Sequence, residues 1–532
     1  MTGQAGIAGE VASEAAKQFD DSSDRGKHLG AVELGGLLIR VGRTDEALQY
    51  LRQAIAAFET DRQQISESHR TEWQRYVVPA VALFLDASYS HSQSLAGECL
   101  SKIELVKVRT LLERFGRIRV TPGAELSSEM AAQDEHNREA TAKALAAHLV
   151  TKSSVIRGEF MEYQLRAQDE HVFLQSLEST APEYVRLRRG LPFEPTDIVS
   201  ERINDKSTRI FVLHQTPESI YVWHLDGHGQ IATWRKIDVP AADLDRVAGA
   251  ISDAASRHAW VGDALDWLSD LLFADVDVPA ETDVCIVPSG RLIDLPFAAF
   301  RIRGQYLVEK WPLVILPSFS LAGFWSRSPT VDATKSLVLS DSLGDLTGAK
   351  EEAVAIANMM KSGLLVNKEM TRERILACLP DVDLLHVACH AIFDSRSPLD
   401  SGIPLADGRR FTCRDLMTLS TRGKVAFLSA CESNKVATAS GDELTGLFPS
   451  LLYSGFEAVV GSLWKVPDRE TRKLALTFYR AVLDGRPLHC ALRDAQLSLL
   501  YGTKNLSPYY WAAWQLVGNW QVRVSKEETL AQ

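Results

Sequence analysis

The first third of the chain carries apolar residues at helical spacing. In residues 31–59, AVELGGLLIRVGRTDEALQYLRQAIAAFE, apolar side chains recur three and four positions apart until residues 42–44 interrupt them. That pattern predicts two helices joined by a short turn. Residues 94–115 and 126–180 repeat the helical spacing with more polar residues between the apolar ones. We therefore expect an almost entirely helical region over residues 28–180.

The first helical pair resembles one tetratricopeptide (TPR) unit. Small and large residues stand at the spacing with which such a unit packs its two helices, namely at Leu34, Gly35, Leu38, Ala47, Leu51 and Ala54. Residues 73–89 are a candidate for a degenerate second unit, although such arrays need about three units to be stable. Two interpretations stay open: a short repeat-like platform for a partner, or a helical bundle without repeats.

The pattern changes after residues 192–195. Residues 209–237, RIFVLHQTPESIYVWHLDGHGQIATWRKI, alternate apolar and polar positions around turn residues and predict a β-meander. Farther on, short apolar runs such as DLLHVACHA and KVAFLSACES alternate with helical segments such as DRETRKLALTFYRAVLDG. This alternation predicts a mostly parallel sheet covered on both faces, with functional residues at the carboxyl ends of its strands.

These patterns divide the chain into four parts. We predict a polar leader at residues 1–27, a TPR-like helical region at 28–125, a helical connector at 126–195 and an α/β domain at 196–525. The length of 532 residues agrees with several domains, because single cores rarely grow beyond about 250–300 residues.

The overall charge is acidic, with a formal net charge of -11 at pH 7. No basic stripe is present, so neither nucleic acid nor an anionic membrane is an expected partner. No apolar run approaches the roughly 20 residues of a membrane span, and the N-terminus lacks the basic and apolar segments of a signal peptide. We expect a cytoplasmic protein.

The cysteines indicate neither a disulfide framework nor a zinc site. Their number is odd, they are scattered, and no CxxC pair occurs among Cys99, Cys285, Cys378, Cys389, Cys413, Cys431 and Cys490. Reduced thiols are expected in a cytosol. No glycine-rich phosphate loop of the P-loop type is present either, so the sequence implies no cofactor.

Two predicted strands end in residues that suit nucleophilic catalysis. The strand predicted within DLLHVACHA ends at His390, and the strand predicted within KVAFLSACES ends at Cys431, 41 positions later. In a parallel sheet both side chains can lie at one edge, where the imidazole takes the thiol proton and the thiolate attacks a carbonyl carbon. Spacing alone is weak evidence, because a cysteine and a histidine at strand ends are more often packing residues.

A set of segments in the second half of the chain has a recognisable order. VPSGRLIDLPFAAF, YLVEKWPLVILPSFSL and LTGAKEEAVAIA precede HVACHA, LSACES, GDELTGLFPSLLYSGFEAVVGSLWKVPD and PYYWAAWQLVG, and a helix containing LSKIELVKVRTLL stands before them all. Together they resemble the CHAT family of caspase-like (clan CD) cysteine peptidases, over about residues 200–522.

The resemblance implies a fold and a set of roles. The fold is a caspase–hemoglobinase-like three-layer α/β/α domain, in the clan of caspases and separase, behind the TPR-like helices. The family dyad matches His390 and Cys431, and the backbone N–H groups of Ala391 and Cys431 are the implied oxyanion donors. Family members usually carry glycine where this chain has Ala391. The exchange matters only if the backbone there needs a positive φ or if the methyl group blocks substrate.

The implied activity is that of a cysteine endopeptidase acting on a protein substrate, with a regulator or the substrate held by the N-terminal helices. Family members with such helical regions often serve in prokaryotic stress or anti-phage systems, and a bacterial gasdermin is one known type of target. Two alternatives stay open. One is a catalytically silent CHAT/TPR scaffold that binds partners, and the other is a dyad acting on a small thioester or amide.

Other candidate residues have two interpretations each. Asp442 and Glu443 either contact the substrate pocket or cap the helix that follows them. Cys389 is expected in the core, because strand neighbours point to opposite faces. His386 is expected to be a hydrogen-bonded core histidine and not a metal ligand, because HVACH lacks the glutamate of the HExxH metalloprotease motif.

Overall fold

A computed structural model describes most of the chain, namely residues 13–14, 17, 27–64, 67–123, 125–150, 156–203, 205, 207–273, 278–279, 282–326, 329–430, 437–439, 443–502 and 507–525. The first part is helical, with α1 (Lys27–Arg40), α2 (Thr44–Gln64), α3 (Glu67–His91), α4 (Ala96–Glu104), α5 (Arg109–Arg119), α6 (Ser128–Val150), α7 (Ile156–Ser176), α8 (Pro182–Arg188) and α9 (Pro195–Ile198). None of the described helices is long and apolar enough to cross a membrane.

The second part mixes strands and helices. Its strands are β1 (Thr208–Gln215), β2 (Ile220–Asp226), β3 (Ile231–Ile237), β4 (Asp283–Pro288), β5 (Arg301–Ile302), β6 (Gln305–Tyr306), β7 (Leu313–Ile315), β8 (Thr330–Asp332), β9 (Ser336–Ser340), β10 (Gly363–Val366), β11 (Leu384–Ala388), β12 (Gly402–Pro404), β13 (Arg410–Thr412), β14 (Val425–Leu428), β15 (Ala437–Ala439), β16 (Glu443–Thr445), β17 (Ala458–Ser462), β18 (Trp514–Gly518) and β19 (Arg523–Ser525). Its helices are α10 (Ala241–Ser256), α11 (Asp263–Phe273), α12 (Leu307–Lys310), α13 (Thr347–Met360), α14 (Arg372–Cys378), α15 (Cys413–Met417), α16 (Leu447–Ser454), α17 (Asp468–Leu483), α18 (Leu488–Leu500) and α19 (Pro508–Trp511).

One eleven-stranded sheet organises this second part, in the order β10-β9-β11-β14-β17-β18-β7-β4-β1-β2-β3. The five strands from β10 to β17 are parallel, β18 is antiparallel to β17, and β1 to β3 form the predicted meander. Every residue of β9, β11, β14 and β17 is buried, so both faces of the sheet are covered. The prediction of a three-layer α/β/α domain behind a helical region is therefore confirmed.

The predicted TPR-like pair is present as α1 and α2. Leu38 and Leu51 are fully buried between the two helices. A Cβ atom at Gly35 would lie 2.8 Å from Leu51 Cγ, which explains why a residue without a side chain stands there. The proposed second unit is different: residues 73–89 lie within the single helix α3 and do not form a helical pair. The helix continues through Pro79, so this proline does not divide the segment into two helices.

One predicted helix is broken in the structure. Residues 94–115 form α4 and α5, separated by a turn in which Val108 has a φ of 41°. The charged residues at the break are buried: Lys107 Nζ donates to the carbonyl oxygen of Pro288 at 2.7 Å, and Glu104 accepts from Ser318 Oγ at 2.6 Å. A straight amphipathic helix would direct some of these charges to solvent, so the break allows them to reach partners in the α/β domain.

Candidate active site

His390 lies two residues after the end of β11, at the carboxyl edge of the parallel strands. Its side chain is 34% exposed, and its Nε2 atom lies 3.1 Å from Asp345 Oδ1 and 3.3 Å from Asp345 Oδ2. With a proton on Nε2, the ring donates to this carboxylate and leaves Nδ1 as a proton acceptor. The other member of the predicted dyad, Cys431, lies outside the described residues, as does Asp442.

Asp345 belongs to the loop that follows β9, the strand next to β11. Asp341 ties this loop to β11, because its N–H donates to the carbonyl oxygen of Ala388 at 3.0 Å. Its side chain also accepts from the N–H of Leu346 at 2.8 Å, and Gly344 supplies a φ of +83° for the turn between them. These bonds hold Asp345 in place beside the imidazole.

The backbone at Ala391 suits the role implied for it. Ala391 is not among the non-glycine residues that have positive φ in the described chain, so alanine replaces glycine there without backbone strain. Its N–H donates to no other described residue. An N–H group without a described partner is the kind of donor that an oxyanion site needs.

The register of the central strands relates the two predicted catalytic positions. β11 and β14 are parallel neighbours, with Leu384 opposite Val425 and Val387 opposite Leu428, an offset of 41 positions. The sequence separation of His390 and Cys431 is also 41. The pairing of β11 with β14 therefore has the same offset in sequence as the two predicted catalytic positions.

A cavity of about 50 Å³ opens beside His390. Ser429 and Ala430, which follow β14, and Ser462, at the end of β17, form part of its wall. The buried Glu352, on α13, also lines it, as does the exposed Asp468 at the start of α17. Polar and apolar side chains together therefore line a cavity next to the histidine.

His386 has the core role that the sequence predicts. It is fully buried, and its Nδ1 atom lies 3.2 Å from the hydroxyl of Tyr479. Its Nε2 atom lies 3.1 Å from Glu352 Oε1, out of line for a hydrogen bond. Burial, followed by the charge of Glu352, raises the pKa of Tyr479 well above its ordinary value, so the phenol stays protonated.

Cys389 and Glu443 are the remaining sequence candidates with described backbone. Cys389 is buried, and burial raises the pKa of its thiol to about 12, so it is not a nucleophile near neutral pH. Glu443 lies in the short strand β16 opposite Ala439, while α16 begins at Leu447. The helix-capping interpretation of Glu443 is therefore wrong. Its contact with a substrate pocket stays a prediction.

A separate cluster contains metal-ligand types of side chain. One ligand atom each from Asp283, His489 and Cys490 lies within 4.8 Å of the other two. His489 Nε2 is 2.9 Å from Asp283 Oδ1 and 3.8 Å from Cys490 Sγ. Burial alone would lower the pKa of His489, but the bonds to Asp283 and Cys490 raise it to about 9. A protonated imidazole paired with a carboxylate accounts for this geometry without an ion.

The structure is thus a layered α/β/α protein with a helical region and with a histidine at the carboxyl edge of its parallel strands. The family comparison specifies the domain: residues 262–519 match the CHAT domain, and the chain therefore carries a CHAT domain. The predicted recognition of a CHAT domain behind TPR-like helices is confirmed.

Several known proteins are similar to this chain. Human and mouse tetratricopeptide repeat protein 28 are each 24% identical to it over 321 residues, which is 47% of this chain and 13% of theirs. A crystal structure of the Saccharomyces cerevisiae separase–securin complex is 9% identical with a TM-score of 0.48, over 96% of this chain and 48% of that one. The complex of Porphyromonas gingivalis RgpB pro- and mature domains is 10% identical with a TM-score of 0.35, over 53% and 75%.

Proposed function

We propose that this protein is a cysteine endopeptidase of the CHAT type. The His390 ring takes the proton of the Cys431 thiol, and the thiolate adds to the scissile carbonyl carbon. The N–H groups of Ala391 and Cys431 stabilise the oxyanion. The C–N bond then breaks, His390 protonates the leaving amine, and water hydrolyses the acyl-thioester.

The environment of His390 is the observation that carries the proposal. Asp345 occupies the Nε2 side of the ring, so Nδ1 is the nitrogen left for the thiol. The N–H of Ala391, which donates to no other residue of the described chain, follows directly after His390. The common offset of 41 between β11 and β14 supports the placement of the nucleophile opposite this histidine.

Thiol alkylation tests the dyad without any knowledge of the substrate. An ordinary thiol, with a pKa of about 8.5, is ionised to well under 1% at pH 6. A thiolate–imidazolium pair keeps the thiol reactive there. We expect iodoacetamide at pH 6 to label Cys431 at least about tenfold faster than the half-buried Cys378 in the same sample, with His390→Ala removing the difference.

The same experiment separates the enzyme from the scaffold. If Cys431 reacts at pH 6 no faster than Cys378, the dyad does not exist and a CHAT/TPR scaffold is the better account of the chain. The similarity of this chain to proteins named for tetratricopeptide repeats favours the scaffold as the second candidate function.

The substrate and setting form the finer part of the proposal. We expect a protein substrate in a bacterial cell-death or anti-phage system, with a bacterial gasdermin as the first candidate and a regulator bound by α1 to α3. Incubation of wild type and Cys431→Ala with gasdermins encoded beside the gene tests this. Cleavage by wild type alone supports it, and an uncut gasdermin in the presence of an alkylation-competent enzyme contradicts it.

A further inference from the structure

The helical region contains a cavity that shares no lining residue with the one beside His390. Its volume is about 50 Å³, several times the roughly 10–15 Å³ that one water occupies on this measure. It lies among α2, α3, α5, α7 and the end of α8. Its charged wall consists of five arginines and two glutamates, namely Arg62, Arg70, Arg117, Arg188, Arg189, Glu113 and Glu170.

The first glutamate lies between two arginines. Glu113, on α5, forms ion pairs with Arg62 from α2 and with Arg70 from α3, whose Nη1 atom lies 3.0 Å from Glu113 Oε2. Arg62 and Glu113 are almost completely buried, and Arg70 is largely so. Three helices thus bring two positive charges and one negative charge to one side of the cavity.

The second glutamate repeats this arrangement on the other side. Glu170, on α7, lies 3.1 Å from Arg117 Nε and 2.7 Å from Arg188 Nη2. Arg188 also pairs with the buried Asp134 at 3.0 Å, but Asp134 is shared with Arg138. Each carboxylate of the wall is therefore already bound by two guanidinium groups.

Two groups of the wall have pKa values that a positive potential explains, whereas the pKa of Arg188 is raised because Glu170 and Asp134 outweigh its burial. Burial, and then the charges of Arg189 and Arg70, lower the pKa of His171, which also lines the cavity. Burial is also the largest cause that lowers the pKa of Arg62. The charge of Glu113 opposes this shift, and the charge of Arg109 lowers the pKa further. Cations held close together out of water favour an anion between them.

We infer that this cavity binds a phosphoryl dianion, either free phosphate or the phosphoryl group of a small metabolite. Guanidinium groups match phosphate oxygens in planar, paired hydrogen bonds, and arginine is over-represented at such sites. Arg70, Arg117 and Arg189 are the more exposed arginines of the wall, and Arg189 also pairs with Glu178. A ligand enters at these side chains. Bound phosphate would join α2, α3, α5 and α7.

A thermal-shift titration of the full chain tests the inference. The probes are inorganic phosphate and adenosine 5′-monophosphate, each against sodium chloride at equal ionic strength, with adenosine as the control for the base. We expect phosphate or the nucleotide to raise Tm by about 2 °C or more at saturation, as a ligand that binds only the folded state does. Adenosine should have no effect.

Two variants and a matched control decide whether this cavity is responsible. Arg70→Gln and Arg189→Gln should each raise the phosphate Kd at least about tenfold, as the loss of a charged hydrogen bond does. Arg166→Gln removes the same charge from α7, where Arg166 pairs with the exposed Glu162 outside the cavity, and should bind as wild type does.

Each outcome has a defined meaning. A shift with phosphate assigns the free ion, and a shift with the nucleotide alone assigns a phosphoryl group on a larger ligand. No shift beyond that of chloride, or equal losses in Arg70→Gln and Arg166→Gln, would overturn the inference. The arginines would then serve only to join helices. If Arg70→Gln does not fold by circular dichroism, Arg189→Gln provides the comparison.

Discussion

At the scale of single residues, the candidate site depends on a carboxylate that no motif indicates. Asp345 stands 45 positions before His390, yet its carboxylate oxygens lie 3.1 and 3.3 Å from the imidazole. It follows β9 as His390 follows β11, and the two strands are neighbours. A search of all predicted strand ends for polar residues would have included it. Spacing alone did not distinguish it from other loop aspartates.

The first residue-scale prediction concerns this positioning role. We expect Asp345→Asn to lower kcat about tenfold with little change in KM, a fraction of the roughly 10²–10⁴ that a whole general base contributes. Iodoacetamide labelling of Cys431 at pH 6 should fall in parallel, because the ring is less well held. Asp407→Asn is the control, since Asp407 pairs with Arg409 in an exposed loop. Equal effects of the two substitutions would refute the role.

A second prediction concerns the buried pair of His489 and Asp283. The pKa of His489 is raised to about 9 in the folded protein, against about 6.5 when unfolded. The pair therefore stabilises the fold fully below pH 6.5, and this contribution is lost as the pH rises through 9. It amounts to about 3 kcal/mol. Urea unfolding should show a larger stability loss between pH 6.5 and 9.5 in wild type than in His489→Gln. Parallel curves would contradict it.

At the scale of elements, the break between α4 and α5 shows how tertiary contacts override a local pattern. Residues 94–115 have the spacing of one amphipathic helix. The buried Glu104 instead accepts four hydrogen bonds from the loop after β7, two from the hydroxyl groups of Ser318 and Ser320 and two from the N–H groups of Phe319 and Ser320. The N–H of Ser320 also reaches Ser318 Oγ at 3.1 Å, but Glu104 accepts from all four donors, and these bonds hold the buried carboxylate at the break.

The element-scale prediction follows from those four bonds. Glu104→Ala should lower the free energy of unfolding by about 3 kcal/mol, because several buried donors lose their acceptor at once. Glu98→Ala, on the same helix, removes a partly exposed pair with Arg52 and should cost at most about 1 kcal/mol. Urea denaturation followed by circular dichroism measures both. Similar costs would show that Glu104 does not anchor α4.

At the scale of the whole molecule, the helical region and the α/β domain share a core. One continuous cluster of buried apolar residues runs from Ala31 to Val524. Across it, Arg114 donates to the carbonyl oxygen of Leu419 at 2.7 Å, and Arg119 pairs with the buried Glu457 at 2.9 Å. Because α5 carries both arginines, it belongs to both parts of the fold.

The whole-molecule prediction is one cooperative unfolding transition. Calorimetric and van't Hoff enthalpies should agree in wild type, because neither part can lose the shared core alone. Arg119→Ala leaves Glu457 with weaker partners and should cost about 3 kcal/mol, as breaking a buried pair does. The exposed Arg166→Ala should be nearly neutral. Two separate transitions in wild type would contradict the shared core.

The sequence by itself determined the order of helices and strands, the layered fold and the placement of His390 at a strand end. Periodicity is a local property of the sequence. A strand that is buried on both faces shows as a short continuous apolar run. Only the tertiary structure decided the partner of His390, the break at Val108 and the arginine-lined cavity. Each of these depends on side chains from separate elements, such as Arg62 and Glu113, 51 positions apart. Charges so far apart in sequence meet only because packing brings their helices together.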